Sequence, residues 1–193
     1  RILLIMATTA DFKNGLCINH NNNLWKIESF QHVKPGKGPA FVRTKIRNLN
    51  NSRVLEHTFT AGVKIDIVRI ENRSYQFLYK EDNTYHLMNQ KNYEQISIQK
   101  NMINAPEYLK EGSTVDIMFH AEKEEPLSCT LPQNVGLKIE STEPGEKGNT
   151  ATNALKPAIT ETGATIKVPL FINTGDMVKV DTITGNYLER IKE

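Results

Sequence analysis

The chain has 193 residues, 38% of them hydrophobic and 24% charged, with a formal net charge of +2. This balance is ordinary for globular protein and argues against disordered and membrane classes. The longest apolar run, Ile2 to Ala7, falls far short of the roughly 20 residues of a helical bilayer span and has no cleavage region, so neither a membrane segment nor a signal peptide is predicted and a cytoplasmic location is expected.

Met6 followed by Ala7-Thr8-Thr9 reads as a natural start, which makes Arg1 to Ile5 an expected extension. Leu24-Trp25-Lys26-Ile27 and Phe41-Val42-Arg43-Thr44-Lys45-Ile46 alternate with the period of two that marks half-buried strands. Tyr75, Phe77 and Tyr79 alternate likewise and are read as barrel core rather than as a stacking platform. A short helix is expected over Pro106 to Glu111, capped by Asn104, stopped by Gly112 and plugging the end of a barrel. Thr130 to Asn134 leads into a new strand, Val135 to Ile139. Glu143 to Lys156, with little to bury, is expected to be an exposed loop. Ala164 to Leu170 and Met177 to Thr182 read as strands separated by Asn173-Thr174-Gly175. Frequent asparagine, including Asn21-Asn22-Asn23 and Asn48 with Asn50-Asn51, is read as compositional. Many short strands between turn residues predict an all-β chain of small barrels, with breaks near residues 70 and 134 giving domains 1–70, 71–134 and 135–193.

Cys17 and Cys129 lie in unrelated contexts with no histidine at ligand spacing, so both are expected to be buried small hydrophobes, with no metal and no cofactor. Residues 1–70 hold 11 basic against 4 acidic side chains, a net +7, whereas residues 71–193 hold 13 against 18, a net −5. A basic first third on an acidic remainder suits a protein that brings one end to phosphate.

Val33-Lys34-Pro35-Gly36-Lys37-Gly38-Pro39-Ala40, between strand sequences, predicts a hairpin tip: two glycines free the backbone, two prolines stiffen the arms, and Lys37 is outermost. It is not a phosphate-binding P-loop, because Lys37 is followed by Gly38 rather than Ser or Thr. By spacing alone Lys37 is either a solvated turn lysine or a working group. Arg43, Lys45 and Arg47 share one strand face opposite Val42, Thr44 and Ile46; with Lys34 and Lys37 they form a basic track suited to an RNA backbone, or a solubilising face. The five histidines are scattered, Asp116, Asp176 and Asp181 are isolated, and no hydrolase or metalloprotease motif occurs, so no catalytic residue is nominated and no enzyme is expected.

The chain resembles the bacterial translation elongation factor P family from about Met6 onward. The residues that carry this are Ala7-Thr8-Thr9-Ala10-Asp11-Phe12, His32 to Gly38, Phe41 to Lys45, Asn173 to Thr182, and Thr184-Gly185-Asn186-Tyr187-Leu188-Glu189-Arg190. The resemblance implies a KOW-like (SH3-like) N-terminal barrel followed by two OB-fold barrels in an L shape like a transfer RNA. It implies a monomer that binds the 70S ribosome between the peptidyl and exit sites, with Lys37 at the CCA end of peptidyl-tRNA, relieving stalling at consecutive prolines. It also implies an enzyme that modifies Lys37, by β-lysine or aminopentanol addition as in the lysine-bearing branches, and a loop formed by Lys34, Pro35, Gly36, Gly38 and Pro39. Arg43, Lys45, Arg47, Tyr187 and Arg190 are the implied contacts to transfer and ribosomal RNA. Gly148-Asn149-Thr150 corresponds to a family Gly-Asp-Thr loop that approaches messenger RNA at the exit-site codon, with Asn149 departing from the acidic pattern. Pro39 stands where several relatives carry a small or polar residue. A general RNA-binding OB protein is the alternative that Pro39 and Asn149 keep open.

Overall fold

The computed structural model describes residues 7–144 and 154–192. The first sheet comprises β1 (Ala7–Thr8), β2 (Cys17–His20), β3 (Asn23–Val33), β4 (Phe41–Asn48), β5 (Val54–Thr60) and β6 (Lys64–Ile67), in the order β1-β6-β2-β3-β4-β5. The second comprises β7 (Ile70–Glu81), β8 (Thr84–Asn89), β9 (Gln95–Gln99), β10 (Thr114–His120) and β11 (Glu125–Thr130), in the order β11-β10-β7-β8-β9. The third comprises β12 (Asn134–Thr142), β13 (Leu155–Thr160), β14 (Thr165–Pro169), β15 (Met177–Asp181) and β16 (Tyr187–Ile191), in the order β14-β13-β12-β15-β16. The fold is all-β, as the alternation predicts, and its sheets curl into half-barrels. The chain forms two compact units, one of residues through Glu71 together with Met118–Leu127, the other of Asn72–Ile117 together with Ser128 onward.

In the first unit Val42, Thr44 and Ile46 point inward and Arg43 and Lys45 outward. The core gathers Phe12, Ile18, Trp25, Ile27, Val42, Ile46 and Phe59. The β3–β4 ladder carries a bulge at Glu28: Ile27 pairs with Ile46, and Ser29 pairs with Lys45. That extra residue shifts the alternation, so Phe30 turns inward with Ile27 and meets Phe12 edge-on at 6.2 Å. His20 of β2 and His57 of β5 lie 4.6 Å apart beside Phe59, joining two strands that are not neighbours in the ladder.

One hairpin turn occurs once in each sheet. Asn48 Oδ1 accepts the N–H of Asn50 and Asn51 at 2.8 and 3.2 Å, and Asn89 Oδ1 accepts those of Lys91 and Asn92 at 2.8 and 3.4 Å. Asp181 Oδ1 accepts those of Ile183 and Thr184 at 2.8 and 2.9 Å. The fifth residue of each turn, Ser52, Tyr93 or Gly185, is left-handed, with φ of 59°, 61° and 72°. The N–H of Asn48, Asn89 and Asp181 then donates to the carbonyl of Arg53, Glu94 and Asn186. These asparagines are therefore turn formers: a short carbonyl-bearing side chain satisfies two N–H groups that no strand partner reaches. Asn21 and Asn22, both with positive φ, turn the β2–β3 hairpin in the same spirit. The compositional reading of asparagine is corrected at these positions.

Other expectations are corrected too. Pro106–Tyr108 is a single 3-10 turn, because Ala105 enters it left-handed with φ 53° and no side chain caps it. Asn104 instead accepts the Leu131 N–H at 2.8 Å, and Tyr108 and Leu109 are buried. Lys156 is no loop residue but a buried member of β13; its ammonium donates to the Glu143 carbonyl at 2.6 Å, which makes its burial tolerable. Tyr75 and Phe77 are core, but a bulge at Leu78, between the pairs Phe77 with Leu87 and Tyr79 with His86, turns Tyr79 to the surface. Cys129 is buried, which pushes its thiol up to about 12, while Cys17 is only half-buried.

Within the second unit the C-terminal turn docks on the segment that links the second sheet to the third. Thr182 Oγ1 donates to Pro132 O at 2.9 Å and Thr182 N to Gln133 O at 2.8 Å, and Lys110 Nζ meets Glu161 Oε1 at 2.9 Å. A Cβ on Gly185 would stand 2.5 Å from Tyr108 Oη. Ser52 and Tyr93 fill the same turn position, so backbone angle alone does not demand glycine there; the tyrosine does. Gly185→Ala is expected to cost about 1–3 kcal/mol in urea unfolding, and Tyr108→Phe in the same chain to recover part of it by removing the clashing oxygen.

Burial, and secondarily the neighbouring His57, holds the His20 imidazole below its ordinary value of 6.5. The folded chain thus favours the neutral ring, and the unfolded chain binds the proton more tightly. Stability of the first unit is expected to be full above about 6.5 and to fall as pH drops through that value. Unfolding titrations of the wild type against His20→Phe check this, the variant showing the flatter pH dependence.

Candidate functional site

The β3–β4 hairpin carries the loop at its tip, its last ladder pairs being His32 with Val42 and Val33 with Phe41, and β5 flanks β4 as far as the pair Phe41 with Thr60. The core side of the arm is filled by Phe30, which Phe12 and the ring of His32 approach edge-on. Ala61 N–H donates to Ala40 O at 3.0 Å and ties the base of the loop to the chain beyond β5. From this base Lys34, Pro35, Gly36, Lys37, Gly38 and Pro39 are all exposed, with the backbone bending at Gly36–Gly38. Gly38 has φ 101°, where an L side chain is strained. Gly36 does not have positive φ, so only one of the two glycines uses the freedom expected of both. Neither has an atom within 4 Å of where a Cβ would stand, and Lys37 between them has no bulky neighbour.

The cations on this arm are not equivalent. Arg47 Nε donates to Glu28 Oε1 at 2.6 Å and Nη1 to Ser52 O at 3.2 Å. Glu28 is the unpaired residue of the bulge, between the pairs Ile27 with Ile46 and Ser29 with Lys45. Lys45 faces Ser29 on one side and Glu56 on the other, whereas Arg43 lies between Gln31 and Thr58. Among the described residues, Lys34, Lys37, Arg43 and Lys45 make no side-chain hydrogen bond or ion pair. Positive charge is therefore offset at the barrel end of the track and uncompensated toward the tip, a gradient that draws a polyanion to the loop rather than to the barrel wall.

The other residues of the expected site lie elsewhere. Tyr187 and Arg190 belong to β16 of the second unit. Tyr187 is half-buried opposite Val180, and Arg190 stands 3.8 Å from Asp176 and over the Phe171 ring at 5.9 Å. Gly148, Asn149 and Thr150 lie outside the described residues. No group of three metal-ligating side chains occurs among the described residues. Sequence reasoning missed the Glu28–Arg47 pair, for which the extra residue in β3 leaves no signal short of knowing the register, and the aromatic base of the arm, where Phe30 reads out of phase with Ile27.

Because Gly38 and Gly36 differ in backbone angle but not in space, Gly38→Ala is expected to cost about 1–2 kcal/mol and to reshape the tip, while Gly36→Ala is expected to leave stability nearly unchanged. Urea unfolding together with loop backbone chemical shifts separates the two.

Comparisons with known proteins follow this architecture. The sequence model of the elongation factor P KOW-like domain matches residues 8–65, that of the elongation factor P OB domain residues 70–129, and that of the elongation factor P C-terminal domain residues 135–190. Elongation factor P of Flavobacterium johnsoniae is 54% identical over 188 residues, covering 97% of this chain and all of the relative. Elongation factor P of Amoebophilus asiaticus is 54% identical over 187 residues, covering 97% and 98%. A solved structure, a translation initiation factor eIF-5A family protein from Naegleria fowleri, superposes with a TM-score of 0.53 at 14% identity, covering 65% of this chain and 96% of that one, and is a likeness of fold. With three domain matches in chain order and half the residues shared along nearly the whole length, the chain belongs to the elongation factor P family of translation factors.

Proposed function

We propose that this translation factor binds the 70S ribosome between the peptidyl and exit sites and uses Lys37 to hold the CCA end of peptidyl-tRNA in reactive geometry, relieving stalling at consecutive prolines. The observation that carries this reading is the exposed Lys37 in the loop of the β3–β4 hairpin, whose uncompensated cations, Lys34 and Arg43, cluster toward the tip. Proline's secondary amine and constrained ring make it a poor reactant, so holding the tRNA end in place lowers the barrier by orientation without new chemistry. The factor acts in the cytoplasm as a monomer, with no cofactor and no catalytic residue of its own. Its working parts are domains 1–70, 71–134 and 135–193.

In this reading Lys34, Pro35, Gly36, Gly38 and Pro39 shape the loop, and Arg43 and Lys45 follow the RNA backbone. Arg47 contributes chiefly by fixing the arm through Glu28. Tyr187 and Arg190 are surface contacts to ribosomal RNA, and Gly148-Asn149-Thr150 approaches messenger RNA at the exit site. Lys37 is also the acceptor of a lysine-modifying enzyme; with open space around both flanking glycines, a lengthened side chain meets no obstacle in the loop itself.

In a reconstituted translation assay with protein from the native host, Lys37→Ala is expected to lose the stimulation of a proline-run reporter and to leave a proline-free reporter unchanged. Wild-type behaviour of that variant overturns the role of Lys37. Mass spectrometry of the Lys37 peptide from the same material is expected to show an added mass, and an unmodified lysine would remove the modifying enzyme from the account.

A further inference from the structure

On the second sheet, the bulge at Leu78 puts Tyr79 on the outer face, where it is 43% exposed although Tyr75 and Phe77 of the same strand are buried. Tyr79 does not stand alone. Its ring stacks on that of His86 at 4.5 Å with 20° between the planes. His86 is itself held: Nδ1 shares a 3.0 Å hydrogen bond with Ser97 Oγ, and Glu81 Oε2 lies 3.6 Å from Nε2. Three adjacent strands, β7, β8 and β9, thus fix one exposed aromatic ring with one face covered. Its rotamer freedom is spent in folding, so binding a second flat group on the ring costs little further ordering.

Two kinds of flat group suit such a ring, a nucleobase and a guanidinium, and charge decides between them. Glu81 shares the Tyr79 face of β7 by strand alternation and is 72% exposed, while Lys80 between them takes the other face. Asp82, exposed, follows at the hairpin turn, and residues 71–193 carry a net −5. A phosphate backbone is repelled here, and a guanidinium is attracted by both the ring and the carboxylate. Arginine is preferred over lysine because its planar head stacks while its N–H groups reach a carboxylate.

We propose that the Tyr79–His86 stack, with Glu81 as counter-charge, is a docking site for an arginine side chain on a basic protein segment. The second sheet alone carries this, and it does not depend on the role of Lys37.

The full chain, labelled for NMR, is titrated with hexa-arginine, hexa-lysine and hexauridylate. Hexa-arginine is expected to shift Tyr79, Glu81 and Ser97 and to bind this face several-fold more tightly than hexa-lysine. Tyr79→Leu and Glu81→Gln are each expected to weaken it roughly two- to tenfold, while Tyr79→Phe retains it. Equal affinity for the two peptides, indifference to Tyr79→Leu, or hexauridylate binding at this face that strengthens in Glu81→Gln would each overturn the proposal. Lys37 is intact in every variant, so failure here and failure of the proline-run assay are separate outcomes.

Discussion

In an antiparallel strand a side chain has two choices of face, and one inserted residue reverses the choice for everything after it. Much of this protein follows from where such insertions occur. The bulge at Glu28 turns Phe30 into the core, supports the base of the Lys37 arm and brings a carboxylate to Arg47. The bulge at Leu78 does the reverse for Tyr79, taking an aromatic residue out of a core its neighbours occupy. In the third sheet the β12–β13 register shifts between Ile139 and Ser141, and β13 buries Lys156, Ala158 and Thr160 while Leu155 and Ile159 face outward. Hydrophobicity alone assigns that strand the opposite phase.

The turns that join the strands are more conservative than the sheets. Asn48, Asn89 and Asp181 play one part in three different sheets, each accepting two N–H groups ahead of it. The charge of Asp181 makes one difference. The N–H donors of Thr184 and Ile183 hold its carboxyl below the usual range, which an amide has no need of. The fifth position of the turn shows local and tertiary demands meeting. Ser52 and Tyr93 accept left-handed angles there, and glycine at 185 answers to Tyr108 across the joint between the second and third sheets. The same turn therefore does two jobs at the C-terminus, closing a hairpin and seating it on Pro132 and Gln133 through Thr182.

Electrostatics on the arm follows from the ladder as well. Glu28 bound to Arg47 offsets charge at the barrel end, and the polar neutral neighbours of Arg43 leave the tip end positive. Uncompensated charge therefore lies toward the loop rather than along the barrel wall.

Period-two alternation, Gly-Pro punctuation and the charge split were enough to read an all-β chain and the exposed Lys37 loop, because those features depend on neighbours in sequence. The alternation of Val42 to Ile46 survived intact for the same reason. Whether Tyr79 is core or surface, whether Lys156 is loop or buried strand, and which cations on the track keep their charge depended on residues far away in the chain. A bulge is one residue with no distinctive composition, and its existence is decided by the partner strand it must match. The pattern of the strands and the residues of the tip are local and legible along one strand; their phase belongs to tertiary pairing, since register is a property of two strands and neither one carries it alone.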